Sequence, residues 1–271
     1  MTEGFDTEIF YVSSHGVAGD HWFEWFARSL NAHPDLMIYM GESVRSKYLK
    51  ERSRKDRPDL MDFTRFLIDL GASYEAIGEC FAYRAYQLEQ LKPVYGDRIR
   101  FINVMRHPYC WLGYYVDWRC SNMNMPAENT EGVDHEWRVT CHDEIRGYGL
   151  RPYQRKDVEI WAFYQGILIL NRMVSDKREA GPNLSLETIV ADPDAFQQAV
   201  SFLTHDRIFY DRALLDTIYS WVDKPFRANR TIRPDPQSEY HGWPEWKKEA
   251  FKKIVRQETV EMFRGYGYVI Q

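Results

Sequence analysis

The 271-residue chain carries 35 Lys and Arg against 40 Asp and Glu, a formal net charge of −5, with 44% hydrophobic and 28% charged residues. These proportions fit a globular chain of one large domain or two small ones and exclude disordered or collagen-like polymers. The acidic balance argues against a general nucleic-acid coat and leaves room only for a local basic pocket.

The N-terminal stretch Met1-Thr2-Glu3-Gly4-Phe5-Asp6 lacks the basic start and apolar run of a signal peptide, and no segment approaches the length of a membrane span. A cytoplasmic protein without a membrane span is the expectation. Cys80, Cys110, Cys120 and Cys141 form no Cys-x-x-Cys pair and read as small buried hydrophobes. His135, Cys141 and His142 fit no zinc template and read as a polar loop, so no metal is expected.

Taken in chain order, Glu8–Val12 is a run of β-formers that ends in the turn Ser13-Ser14-His15-Gly16. Trp22, Phe23, Phe26 and Leu30 then recur at helical spacing up to Asn31-Ala32-His33-Pro34, and Leu36–Met40 is a second short strand. Residues 45–59 are dense in charge and read either as a solvated helix or loop or as a segment facing an anionic substrate. Residues 60–71 are helical, 76–80 a short strand or turn, and 84–91 helical again. Arg98–Arg106 is a buried strand stopped by His107-Pro108, followed by an aromatic helix over 109–118.

Residues 119–152 are polar and too long for a plain connection, so they read as a functional insertion or lid. Val158–Val174 is an amphipathic helix, Asn183–Val190 a strand-like segment, and 193–203 a helix after Asp192-Pro193. Proline-rich residues 225–243 read as a loop, and 244–263 as one terminal helix. Alternating strands and helices predict one α/β domain over 1–271 with a mainly parallel central sheet flanked by helices.

Four segments, in order, carry a resemblance. Tyr11-Val12-Ser13-Ser14-His15-Gly16-Val17-Ala18-Gly19-Asp20-His21-Trp22 precedes Asn31-Ala32-His33-Pro34-Asp35. Phe101-Ile102-Asn103-Val104-Met105-Arg106-His107-Pro108 is the second. Leu184-Ser185-Leu186-Glu187-Thr188-Ile189-Val190-Ala191-Asp192-Pro193 is the third. Trp243-Pro244-Glu245-Trp246 with Gly265-Tyr266-Gly267-Tyr268 closes the set. Together they resemble a sulfotransferase that uses 3′-phosphoadenosine-5′-phosphosulfate (PAPS). The resemblance implies a P-loop-like three-layer α/β fold. It also implies sulfuryl transfer to a hydroxyl of a carbohydrate or small metabolite, with PAPS as donor and no metal.

The first segment then stands for the strand, 5′-phosphosulfate loop and helix, and the second for the motif that grips the donor 3′-phosphate. The family loop normally has Lys or Arg, Ser, Gly, Thr, Thr before Trp22, where this chain has Val17, Ala18, Gly19, Asp20 and His21. The loop cation is therefore missing, and Asp20 brings a negative charge. The Ser expected eight residues after Arg106 is Tyr114, and Arg227, Arg230 or Arg233 stand in for the late basic loop. A sulfotransferase-fold protein that binds an anionic ligand or partner without transfer is the alternative. A P-loop kinase is disfavoured because no Gly-x-x-x-x-Gly-Lys-Ser/Thr run is present.

Gly16 and Gly19 let backbone N–H groups approach an anion at a helix start. The donor-binding candidates are Gly16, Val17, Ala18, Gly19, Asp20, His21, Trp22, Arg106, Tyr114, Arg230 and Arg233. Arg106 offers a rigid charged fork for phosphate, and Tyr114 one hydroxyl. His15 and His21 are candidates to supply charge near the transferring group, against the plainer reading of both as loop histidines. Sulfuryl transfer needs a base for the acceptor hydroxyl. Glu79, in a Gly-Glu pair found in glycan-modifying members, is the first candidate and Glu42 the second, each weighed against an ion-paired carboxylate. Glu187 reads as structural.

Overall fold

The computed structural model describes residues 6–14, 21–40, 59–80, 85–123, 145, 147–150, 158–176, 181–224 and 235–271. The chain divides into two compact units: Met1–Arg106 with Asp176–Ile232, and His107–Ser175 with Arg233–Gln271.

The first unit is built on five parallel strands, β1 (Glu8–Ser14), β2 (Leu36–Met40), β3 (Ala76–Cys80), β4 (Ile99–Met105) and β5 (Asn183–Ser185), ordered β2-β3-β1-β4-β5. Side chains alternate strictly between the faces. Phe10, Val12, Leu36, Ile38, Ala76, Cys80, Ile102 and Val104 join one apolar cluster, whereas Ile9, Tyr11, Ile77, Ile99 and Phe101 join another. A sheet covered on both faces explains why its strands read as nearly unbroken apolar runs. The first cluster is completed by the helices His21–Leu30, Leu186–Ala191, Pro193–Leu203 and Arg212–Tyr219. The second is completed by Leu60–Leu70 and by the short turns around Leu88, Leu91 and Tyr95. This is the expected helix–sheet–helix arrangement.

Two local features of this unit differ from the sequence reading. Only Asn183–Ser185 of the strand-like 183–190 segment pairs with β4; Leu186–Ala191 is a helix. Ser185 ends the strand by accepting a bond from the Thr188 backbone N–H at 3.3 Å, which satisfies a helix-start donor. The Arg212–Tyr219 helix, capped by Asp211 at the Leu214 N–H, has no counterpart among the predicted elements.

The second unit contains the helices Pro108–Met123, Val158–Asp176, Pro236–Gly242, Glu245–Ile254 and Gln257–Gly265. Its core is aromatic: Trp243 packs on Tyr109, Phe163, Tyr240 and Phe251. Gly166 permits close helix contact, since a Cβ there would fall 2.7 Å from Leu112 Cδ2. The predicted loop 225–243 contains the Pro236–Gly242 helix, started by Asp235 at the Gln237 N–H. The predicted single helix over 244–263 is two helices. Buried Asn171 sits at the break, donating to the Ile254 carbonyl (2.9 Å) and accepting from the Arg256 N–H (2.9 Å) and the Thr259 hydroxyl (2.8 Å). Among the described residues, no helix is long and apolar enough to cross a membrane.

Candidate active site

In an open parallel sheet, ligands collect at the carboxyl ends of the strands where the connections part. Here β1 leads towards β2 on one side of the sheet and β4 leads towards β5 on the other, so the parting point lies between β1 and β4. The two strands are paired up to Ser13↔Asn103 and Ser14↔Val104. That register brings the end of β1 and the start of the His21–Leu30 helix to the same edge as Arg106.

Arg106 is buried, at 3% exposure. Its Cζ lies 4.3 Å from the centroid of the Trp22 ring, and its Nε lies 3.9 Å from Glu187 Oε1. The guanidinium keeps its charge in this setting because a guanidinium does not deprotonate in proteins and because an indole face and a carboxylate both favour a cation. The second Glu187 oxygen accepts a bond from the Ser185 hydroxyl at 3.3 Å. Three of the four resembling segments thus converge: Trp22 from the first, Arg106 from the second, Ser185 and Glu187 from the third.

The other described candidates have their own surroundings. His21 is buried at the helix start, and its Nε2 donates to the Val222 carbonyl, which ties the ring to the turn after Arg212–Tyr219. Glu79 is fully buried in β3, in register with Tyr11, which in turn pairs with Phe101. Arg106 is five residues after Phe101, just past the end of β4, about 16 Å away at roughly 3.3 Å per extended residue. Glu79 also acts on its neighbour: burial first, and then the Glu79 charge, hold the Cys80 thiol well above its ordinary pKa. Tyr114 is buried in the second unit, on the Pro108–Met123 helix. His15, Gly16, Val17, Ala18, Gly19, Asp20, Glu42, Arg227, Arg230, Arg233 and most of 119–152 lie outside the described residues.

The aromatic helix after Arg106 is mostly core. Trp111 and Tyr115 stack at 5.1 Å with 10° between planes, and the Tyr115 hydroxyl donates to Gln165 at 2.6 Å. Arg119 donates to the same hydroxyl at 2.9 Å and lies 4.7 Å from the Trp118 ring centroid.

No family model matches the sequence, and no curated protein matches it. The structure does find a likeness: the sulfotransferase domain of the Synechococcus PCC 7002 olefin synthase, with a TM-score of 0.54 and 12% identity, over 99% of this chain and 98% of that one. The chain has a sulfotransferase-domain fold. Two more solved structures align at lower scores. The sulfotransferase domain from the curacin biosynthetic pathway gives a TM-score of 0.38 at 13% identity, over 99% of this chain and 100% of that one. A sulfotransferase from Alicyclobacillus acidocaldarius gives 0.40 at 13% identity, over 80% of this chain and 92% of that one.

Of the residues singled out in the sequence, Trp22 and Arg106 lie together here, and Glu187, read from the sequence as structural, is at ion-pair distance from Arg106. The two residues stand far apart in the chain, and a single Glu in a helix start carries no mark of what it faces. The pairing of β5 with β4, which brings Glu187 to Arg106, comes only with the folded chain.

Proposed function

We propose that this protein is a sulfotransferase that moves a sulfuryl group from PAPS to a hydroxyl of a carbohydrate or small metabolite. The observation that carries this reading is the buried Arg106 guanidinium beside the Trp22 ring at the carboxyl end of β4. An enclosed cation next to an indole suits a ligand that joins a phosphate to a flat base, because the cation answers the charge and the ring offers a stacking edge or face.

When bound, PAPS supplies the sulfuryl group and departs as adenosine 3′,5′-bisphosphate. Arg106 would hold the 3′-phosphate, and the backbone N–H groups of residues 16–21, the segment that leads in sequence into the His21–Leu30 helix, would hold the 5′ end. The proton of the acceptor hydroxyl passes to a carboxylate, with Glu79 and Glu42 as the candidates.

The missing loop cation at Val17 and the acidic Asp20 favour a second reading, a sulfotransferase fold that binds an anionic ligand without transfer. One experiment separates the two. The full chain is melted with and without adenosine 3′,5′-bisphosphate, then incubated with labelled PAPS and a panel of hydroxyl acceptors. Stabilisation by the bisphosphate together with label on an acceptor is the expected result. Stabilisation without transfer selects the second reading, and the absence of both stabilisation and transfer overturns the donor site itself.

A further inference from the structure

Arg106 is oriented by two contacts of different kinds. Trp22 lies against its planar group at 4.3 Å, which restrains the tilt of the plane. Glu187 Oε1 lies 3.9 Å from Nε, an ion-pair distance that biases rotation within the plane. Glu187 is in turn held from behind. The Ser185 hydroxyl donates to its Oε2 at 3.3 Å, while the Ser185 oxygen accepts from the Thr188 N–H, so the helix start and the carboxylate are locked together. The Glu187 side chain is 21% exposed, against 2% for Arg106.

A guanidinium recognises phosphate best with two parallel N–H bonds, which require the fork to face in one direction. A counter-charge alone would need no such arrangement; a restrained plane with a carboxylate anchored at one edge fixes that direction. We infer that Glu187 is a positioning residue that aims Arg106 at the 3′-phosphate of the donor. This inference rests on the proposed donor site and adds to it the device that sets selectivity for a 3′-phosphorylated nucleotide.

Calorimetry on the full chain tests it with two ligands, adenosine 3′,5′-bisphosphate and adenosine 5′-phosphate, which lacks the 3′-phosphate. In the wild type the bisphosphate binds more tightly. In Glu187→Gln, which keeps the shape and removes the charge, affinity for the bisphosphate falls about tenfold, the scale of one charge-assisted hydrogen bond. Affinity for adenosine 5′-phosphate stays within about twofold, and Glu187→Asp recovers part of the loss. A residue that only balanced charge in the fold would shift both ligands together.

An unchanged ratio between the ligands in Glu187→Gln overturns the inference while leaving the donor site standing. A wild type that fails to prefer the bisphosphate overturns the donor site instead. Ser185→Ala covers the case in which Glu187→Gln does not fold. It leaves both charges and releases Oε2, and a fall in the bisphosphate ratio of about threefold is expected; no fall overturns the inference.

Discussion

Each unit of the molecule encloses a buried polar centre, and the two are built on opposite principles. Asn171, in the second unit, is neutral and makes three hydrogen bonds of 2.8–2.9 Å across the Ile254–Thr259 break. Arg106, in the first, is charged and stands 3.9 Å from its carboxylate. A neutral amide with short bonds costs little to bury and specifies one backbone path. A buried charge at ion-pair distance is an expensive way to hold a fold together. Under the proposed function, Asn171 serves structure and Arg106 serves a ligand, and the two should respond differently to substitution.

The largest expected effect tests the structural half of that contrast. Asn171→Leu removes all three bonds and leaves the Ile254 carbonyl, the Arg256 N–H and the Thr259 hydroxyl to find other partners. Urea unfolding should show a loss of about 3–4 kcal/mol. A loss below about 1 kcal/mol would mean that the helix break is set by something else.

Next is Arg106→Met, which keeps an apolar stem under Trp22 and removes the charge. Affinity for adenosine 3′,5′-bisphosphate should fall about 100-fold, while unfolding free energy moves by about 1 kcal/mol or less. The reverse pattern, a large stability loss with intact affinity, would make Arg106 structural like Asn171.

A neutral centre within the first unit sharpens the comparison further. The buried Tyr210 hydroxyl donates to the Ser29 carbonyl at 2.9 Å and the Leu30 carbonyl at 2.7 Å. Tyr210→Phe should cost about 1 kcal/mol near neutral pH, without altering nucleotide binding. Burial pushes the Tyr210 phenol well above its ordinary pKa in the folded state. The stability tied to that shift is present below the unfolded value, near pH 10, and is lost as pH rises above it, because only the unfolded chain then ionises. The alkaline limb of stability against pH should therefore be shallower in Tyr210→Phe by up to about 1.4 kcal/mol per pH unit.

The smallest effect concerns a thiol in each unit. Burial and then Glu79 raise the Cys80 pKa, and burial followed by Glu159 and Asp117 raises that of Cys120. Native-state labelling with iodoacetamide at pH 8, followed by mass spectrometry, should be slow at both sites, and slower at fully buried Cys80 than at half-buried Cys120. Rapid labelling of Cys80 would show that the sheet opens locally.

The first four strands were legible because each carries its apolar residues on both faces within a few consecutive positions, as in Ile9-Phe10-Tyr11-Val12. The burial of Arg106 was not legible, because Arg98 and Arg100 stand in the same segment and only the fold distinguishes the buried arginine from the other two. The fifth strand was overestimated because Leu186, Ile189 and Val190 are apolar in either conformation. Ser185 settles that choice through one capping bond that periodicity does not register. The 244–263 segment was read as one helix because its own residues allow one; the amide that divides it belongs to a helix far away in the chain.

Composition and local pattern therefore suffice to establish a mainly parallel α/β sheet and the positions of its first four strands. These depend on neighbours in sequence, whose burial and backbone preferences act over a few residues. The pairing of β1 between β3 and β4, the meeting of Trp22, Arg106 and Glu187, and the division of the last helix come only with the folded chain. Each depends on contacts between distant segments, where the energy of a polar group is set by what it faces and not by its place in the sequence.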